Sequence, residues 1–399
     1  MSQVKSPERA SGGSSIVRLT QLDFLRGIAI LLVLGRHSPI YPAEAGKLVA
    51  IAGPWGRFGW TGVDLFFVLS GFLVGGLLLK EWNLRENIDV KRFLLRRGFK
   101  IWPSYYVFLV FVLIISLINM KEGSDIWGKW LWNMLHIQNY LGTLRLPTWS
   151  LAVEEHFYLI LPFVLPALLK NRARAMQRLT VAVVLIFAVC LALRGFVAFR
   201  HRPTGDEINF AQTQFRIDSL FAGVGLAGIY HLDRPRWEKL KKYRWYFLVI
   251  GIFLVSPMIF IKLNGSIFIP VFGFLMLSIG YFLIVAAFMM AGSQGGVWEK
   301  LSKTWICRAV IFTGIYSYNV YLWQMDTGYP VGKWLLNLGL VSVLGKELTW
   351  LVVFTVFVVV CVLSGMVLGR LVEIPFLKIR DRLFPPRDRG GAGVSKEGA

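Results

Sequence analysis

The chain is 399 residues long and 55% hydrophobic, with a mean hydropathy of +0.57 and a formal net charge of +21. So much apolar sequence excludes an ordinary water-soluble domain, and runs of about 20 apolar residues recur along the whole length, so the chain reads as an all-α polytopic membrane protein. Continuous runs in place of strand-length alternation exclude a β-barrel. The positive charge falls in loops, where it directs topology, so nucleic acid is not an expected partner.

The pattern predicts about ten spans, at 20–40, 59–79, 101–119, 148–169, 179–199, 214–231, 245–263, 267–290, 309–328 and 348–370. An even number puts both termini on one side. The N-terminal tail, the C-terminal tail and the 80–100, 170–178, 231–244 and 291–308 loops hold roughly 30 of the 44 Lys and Arg, and the opposite loops about 10. Both termini are therefore predicted cytoplasmic. Residues 1–18 read as a disordered cytoplasmic tail, 19–380 as a single transmembrane domain, and 381–399 as a flexible cytoplasmic tail. The longest outer loops are expected near 120–147, 200–213 and 329–347. No small-residue cleavage site follows the Ile28–Leu34 core, so a removable signal peptide is not expected.

The first span carries Asp23, Arg26 and His37 in an otherwise apolar helix. Ionisable groups in hydrocarbon are costly, so they face a protein interior or a water-filled cavity. Arg26 and His37 are eleven residues apart, close to three turns, and project from nearly the same face about 16 Å apart along the axis. Charge placement puts Arg26 near the cytoplasmic end and His37 near the outer end. In the second span Asp64 is a further intramembrane carboxylate, Ser70 lies deeper, and Gly71 and Gly75 form a GxxxG that permits close helix contact. The basic loop that follows includes Arg96, Arg97 and Lys100. It suits phosphate binding and suits a topology signal equally.

The fourth span opens with Ser150, Glu154 and Tyr158 at every fourth residue, so they share a face. Glu154 is expected at a depth comparable to His37. Arg216 and Asp218 mark the sixth span; as a structural pair they would shape an outer vestibule. Cys190, Cys307 and Cys361 show no metal or redox spacing and read as packing residues, and no metal site is expected. His136, His201 and His231 read as surface residues.

Together these motifs resemble the acyltransferase-3 family of integral membrane acyltransferases. The likeness runs from Leu22-Asp23 and Arg26-Gly27 with His37, through Gly62-Val63-Asp64 and Ser70-Gly71-Phe72-Leu73, to the arginine-rich segment ending at Pro103. It continues through Trp149-Ser150-Leu151 with Glu154 and Tyr158, Arg216-x-Asp218 with Gly223, Ser317-Tyr318-x-x-Tyr321-Leu322-Trp323, and Glu373-x-Pro375. Three positions depart from the family pattern: Gln324 where histidine is frequent, Lys100 where arginine is usual, and His156 where glutamine is common. The chain resembles the stand-alone form, without a fused SGNH domain.

The resemblance implies transfer of an acyl group, most simply acetyl, from cytoplasmic acyl-CoA to a hydroxyl of an extracytoplasmic carbohydrate or lipid-linked glycan. It implies a plasma (bacterial inner) membrane location and no permanently bound cofactor, acyl-CoA being a co-substrate. His37 is then the candidate general base, with Glu154 orienting its imidazole or stabilising its cation. Arg26, Arg96, Arg97 and Lys100 would hold the phosphates of CoA. Asp23, Asp64, Ser70, Ser150, Tyr158, Arg216 and Asp218 would support the site or face the acceptor. Two rivals stand beside this reading. One is a proton-coupled transporter or exporter using the intramembrane charges as a relay. The other is a partner that hands acyl groups to a separate extracytoplasmic transferase. Acceptor identity, acyl length and oligomeric state are not legible in the chain.

Overall fold

The computed structural model describes residues 19–39, 53–119, 125–201, 210–261, 267–292 and 296–385. Every regular element among them is helical. The longer helices are α1 (Thr20–Arg36), α2 (Gly62–Arg85), α3 (Val90–Ile118), α4 (Trp149–Leu169), α5 (Ala175–His201) and α6 (Thr213–Leu232). They continue as α7 (Arg244–Val255), α8 (Phe274–Met290), α9 (Trp305–Ile315), α10 (Ser317–Trp323), α11 (Leu340–Leu368) and α12 (Ile374–Leu383), with shorter helical turns between.

Seven helical stretches among the described residues are long and apolar enough to cross a membrane: Gly53–Arg85, Val90–Ile118, Leu146–Leu169, Arg172–Arg200, Arg234–Ile259, Ile269–Met290 and Leu340–Leu383. The other three expected spans are also helical, but differ for physical reasons. α1 has 17 residues, ending at Arg36. α6 has 20 residues, yet carries Gln214, Arg216, Asp218 and Ser219 in its first two turns. The expected span at 309–328 is broken at Tyr316 (φ −98°, ψ 7°), which divides α9 from α10. The expected outer loop at 329–347 is largely helical, through Gly328–Asn337 and the start of α11.

Residues 1–18 of the expected N-terminal tail, and 386–399 of the C-terminal one, lie outside the described residues. The described part of the latter corrects the expectation of looseness from 381. α12 runs to Leu383, Arg96 donates to the carbonyl of Phe384, and Arg92 donates to that of Pro385.

Helix ends follow local chemistry. Asp89 caps α3 by accepting from the Arg92 amide at 3.0 Å, satisfying one of the orphan donors of the first turn. The centre of the molecule is the crossing of α2 and α6, the most extensive helix contact. A Cβ on Gly71 would stand 1.8 Å from the Leu220 carbonyl oxygen, and one on Gly223 would stand 2.1 Å from that of Val68. Only hydrogen fits there, so the two backbones touch, as small-residue motifs allow. α1 lies against α9 in the same way, through Gly27 and Gly314.

Around this centre, α5 and α7 present Val184, Leu185, Phe196, Phe199, Trp245 and Phe253 outward. In water these would be a liability, whereas in hydrocarbon they cost nothing. Cys190 and Cys361 are buried and Cys307 half-buried, all with free thiols. His136 is a correction to its surface reading. It is 9% exposed and stacks on Tyr105 at 4.7 Å between ring centres.

Candidate functional site

Two cavities lie along α1, and the sequence-predicted residues divide between them. The first is an open cavity of about 860 Å³. Its polar lining is Arg26 from α1, Ser70 from α2, Arg97 and Lys100 from α3, Ser150, Glu154 and Glu155 from α4, and Ser317, Tyr318 and Tyr321 from α10. Helical period explains the grouping. Arg97 and Lys100 are three residues apart, and Ser150 and Glu154 four apart, so each pair shares a face.

Within this cavity the α4 acid is tightly held. Arg97 donates to the Tyr158 hydroxyl at 2.6 Å and lies 4.1 Å from the centre of its ring. The Tyr158 hydroxyl donates to Glu154, and Ser70 stands 2.5 Å from that hydroxyl and 3.4 Å from the Glu154 carboxylate. Glu155 accepts from the Trp102 indole at 3.2 Å. By contrast, neither Arg26 nor Lys100 forms an ion pair or side-chain hydrogen bond among the described residues. Both remain available to an anion.

Arg96 departs from this group. Its guanidinium pairs with Asp381 at 3.2 Å and binds the Phe384 carbonyl, so it is spent on the C-terminal segment. Arg96 and Arg97 are neighbours in sequence, but a helix turns about 100° per residue, and only one of them faces the cavity.

The second cavity, of about 540 Å³, holds His37 and Arg36, with Trp60, Trp149, Arg216 and Phe274 among its walls. Glu154 is not beside His37. Ser70, Tyr158 and Arg97 draw its carboxylate into the first cavity. Gln324, from the family position where histidine is frequent, lies close enough to the imidazole to act on it electrostatically. Nδ1 of His37 and Oε1 of Gln324 are buried without a hydrogen-bond partner among the described residues.

A buried charge cluster backs the second cavity. Arg216 pairs with Asp64 at 2.8 Å and stacks over Phe274 at 4.0 Å and Trp149 at 5.2 Å. Asp218 pairs instead with Arg194 at 2.7 Å, with both side chains essentially inaccessible. The expected Arg216–Asp218 pair is thus corrected to two inter-helix pairs. Residues two apart on a helix point some 200° from each other and do not meet. Ser219 donates to Asp64 at 3.3 Å and stands 2.7 Å from the Ser278 hydroxyl. Asp23 is buried in the first turn of α1, where its backbone carbonyl meets Gly314.

Arg194 has no place among the residues expected from the sequence, although an arginine inside the apolar run Leu191-Ala192-Leu193-Arg194-Gly195-Phe196 is a signal of function or pairing. Glu373 accepts from Asn319 at 2.7 Å, and Tyr318 donates to the Ile101 carbonyl at 3.0 Å. Both lie in quoted motifs to which no role was attached.

The two cavities share two lining residues, Val63 and Tyr321. This arrangement can hold an anionic donor on one side and activate a hydroxyl on the other.

The family model of an acyltransferase domain, acyltransferase-3, matches residues 19–370. The peptidoglycan O-acetyltransferase OatA of Listeria monocytogenes is 26% identical over 328 residues, which cover 78% of this chain and 49% of that protein. The putative peptidoglycan O-acetyltransferase YrhL of Bacillus subtilis is 27% identical over 369 residues, 86% of this chain and 52% of that one. A putative O-acetyltransferase of Staphylococcus aureus strain COL is 28% identical over 323 residues, 76% of this chain and 49% of the relative. The chain therefore spans about half the length of the curated relatives it matches. No solved structure matches significantly.

Proposed function

The chain belongs to the acyltransferase-3 family, and from that premise we propose that it moves an acetyl group from cytoplasmic acetyl-CoA to a hydroxyl of an extracytoplasmic glycan. The observation that carries this reading is the pair of cavities meeting at Val63 and Tyr321, one with Arg26, Arg97 and Lys100 and the other with His37. The names of the relatives make a peptidoglycan-type acceptor the first to test.

Arg26 and Lys100, with Arg97 beside them, form the seat for the phosphates of the donor. Charge-assisted contacts to phosphate are the strong ones. Arg96 is left out of the seat because the C-terminal segment occupies it. Glu154 is assigned to the donor cavity, where it fixes Tyr158 and Arg97 and does not orient the base.

His37 takes the proton from the acceptor hydroxyl as the oxygen attacks the thioester carbonyl. The C–O bond forms, the C–S bond breaks, and the CoA thiolate recovers the proton from the imidazolium. Gln324 orients the ring. Arg216, fixed by Asp64, supplies positive charge from the His37 side of the partition as the carbonyl oxygen gains charge. Direct transfer of this kind needs no covalent enzyme intermediate. In this reading both termini face the cytoplasm and the acceptor approaches from the His37 side.

The purified protein in liposomes, given labelled acetyl-CoA and a muramyl oligosaccharide, is expected to place label on a sugar hydroxyl. His37→Ala is expected to abolish transfer while the protein still inserts and unfolds at an unchanged temperature. Label that stays on CoA with the unaltered protein, or full transfer by His37→Ala, overturns the proposal.

A further inference from the structure

The two cavities meet at a side chain held by hydrogen bonds. Tyr321 lines both cavities. Its ring is 6% exposed and meets the edge of Phe66 at 6.2 Å between centres. The hydroxyl stands 2.7 Å from that of Ser150 and donates to the Pro147 carbonyl at 2.8 Å. Ser150 lies in the first turn of α4 and Pro147 stands just before it, so the ring cannot swing away without giving up two hydrogen bonds, and such loss is costly in an apolar setting. Val63, from the first turn of α2, is the other residue that lines both cavities.

We propose that Tyr321, pinned to the start of α4, is the specificity-determining residue that limits the donor to a short acyl group. This rests on the transfer reading above. A thioester bound by its phosphates in the cationic cavity brings its acyl end against the Tyr321 ring. An acetyl group adds only one methyl beyond the carbonyl and fits at the partition. Each further methylene has to displace the ring or fold back among polar groups. Packing around a fixed aromatic ring is sensitive to single methylenes. The same ring keeps water of the His37 cavity off the thioester until an acceptor arrives.

Tyr321→Ala joins the two cavities and removes the stop. The octanoyl-CoA to acetyl-CoA ratio of transfer rates is expected to rise at least tenfold. Tyr321→Phe keeps the ring and loses the latch. Its chain-length ratio is expected to stay near that of the unaltered protein, while hydrolysis of acetyl-CoA without acceptor rises. Val63→Ala widens the junction at the other shared residue and is expected to raise the octanoyl ratio in the same sense, which keeps the question open to decision should Tyr321→Ala not fold. Hydrolysis and chain-length ratio are readouts that a purely structural role would not move together in this pattern. If the unaltered protein transfers acetyl and neither Tyr321→Ala nor Val63→Ala changes the ratio, the specificity role is overturned and the transfer reading stands. If the unaltered protein transfers nothing, the transfer reading itself has failed.

Discussion

Asp64 is fully buried, and Arg216, 4% exposed, is bonded to it across two helices. Removing one member of such a pair strands a charge in a medium that cannot solvate it, a cost of about 3–5 kcal/mol. Asp64→Ala is therefore expected to unfold at a markedly lower temperature in detergent, whereas Asp64→Leu combined with Arg216→Met is expected to recover much of the loss. Equal stability of the single and double variants would show that the pair is not held as described. The sequence disclosed that these charges sit in spans, because each is expensive there. It did not disclose the pairing. Arg216 and Asp218 point to different sides of one helix, and their partners lie at Asp64 and Arg194, in α2 and α5, which no local pattern connects. Glu154 teaches the same lesson. Its spacing from Ser150 and Tyr158 was readable, but which cavity the shared face would line depended on Arg97 and Ser70 from two other helices.

Helices α2 and α6 touch through Gly71 and Gly223, where a single added carbon has no room. Gly223→Leu is expected to lower stability by at least about 1–3 kcal/mol, since overpacking displaces backbone that has no slack. Gly195→Leu is the control, because a Cβ there meets nothing within 4 Å. Thermal unfolding of the two variants side by side checks this, and similar losses would refute the contact. The GxxxG of α2 was visible in the sequence as an invitation to close packing, without naming the partner helix. Apolar length revealed most of the spans. Apolar length alone did not place the break at Tyr316, although Thr313, Gly314, Ser317 and Asn319 dilute the apolar sequence there; the break sets the course of α10, from which Asn319 reaches Glu373 and Tyr318 reaches the Ile101 carbonyl.

Across the described residues, charge is sorted by cavity. Arg26, Arg97 and Lys100 gather in one, and His37 with the Asp64-anchored Arg216 in the other. Lys100→Ala is expected to raise KM for acetyl-CoA by roughly 10- to 100-fold, the worth of one charge-assisted hydrogen bond, with a smaller change in kcat. Arg96→Ala is expected to raise it far less, because Asp381 and the Phe384 carbonyl already hold that guanidinium. Steady-state kinetics over a range of donor concentrations decides between them. A larger effect at Arg96 than at Lys100 would move the donor seat to the opposite face of α3.

The clasp between α3 and the stretch after α12 ties residues 92–96 to residues 384–385, nearly three hundred positions later. The cationic cavity likewise draws its walls from Arg26 through to Tyr321. A ribosome that has delivered only the first eight helices has therefore made both halves of neither feature. If that cavity is the seat proposed for an activated thioester, the growing polypeptide holds no finished receptacle until its late helices dock, and partial products of translation are expected to be chemically silent.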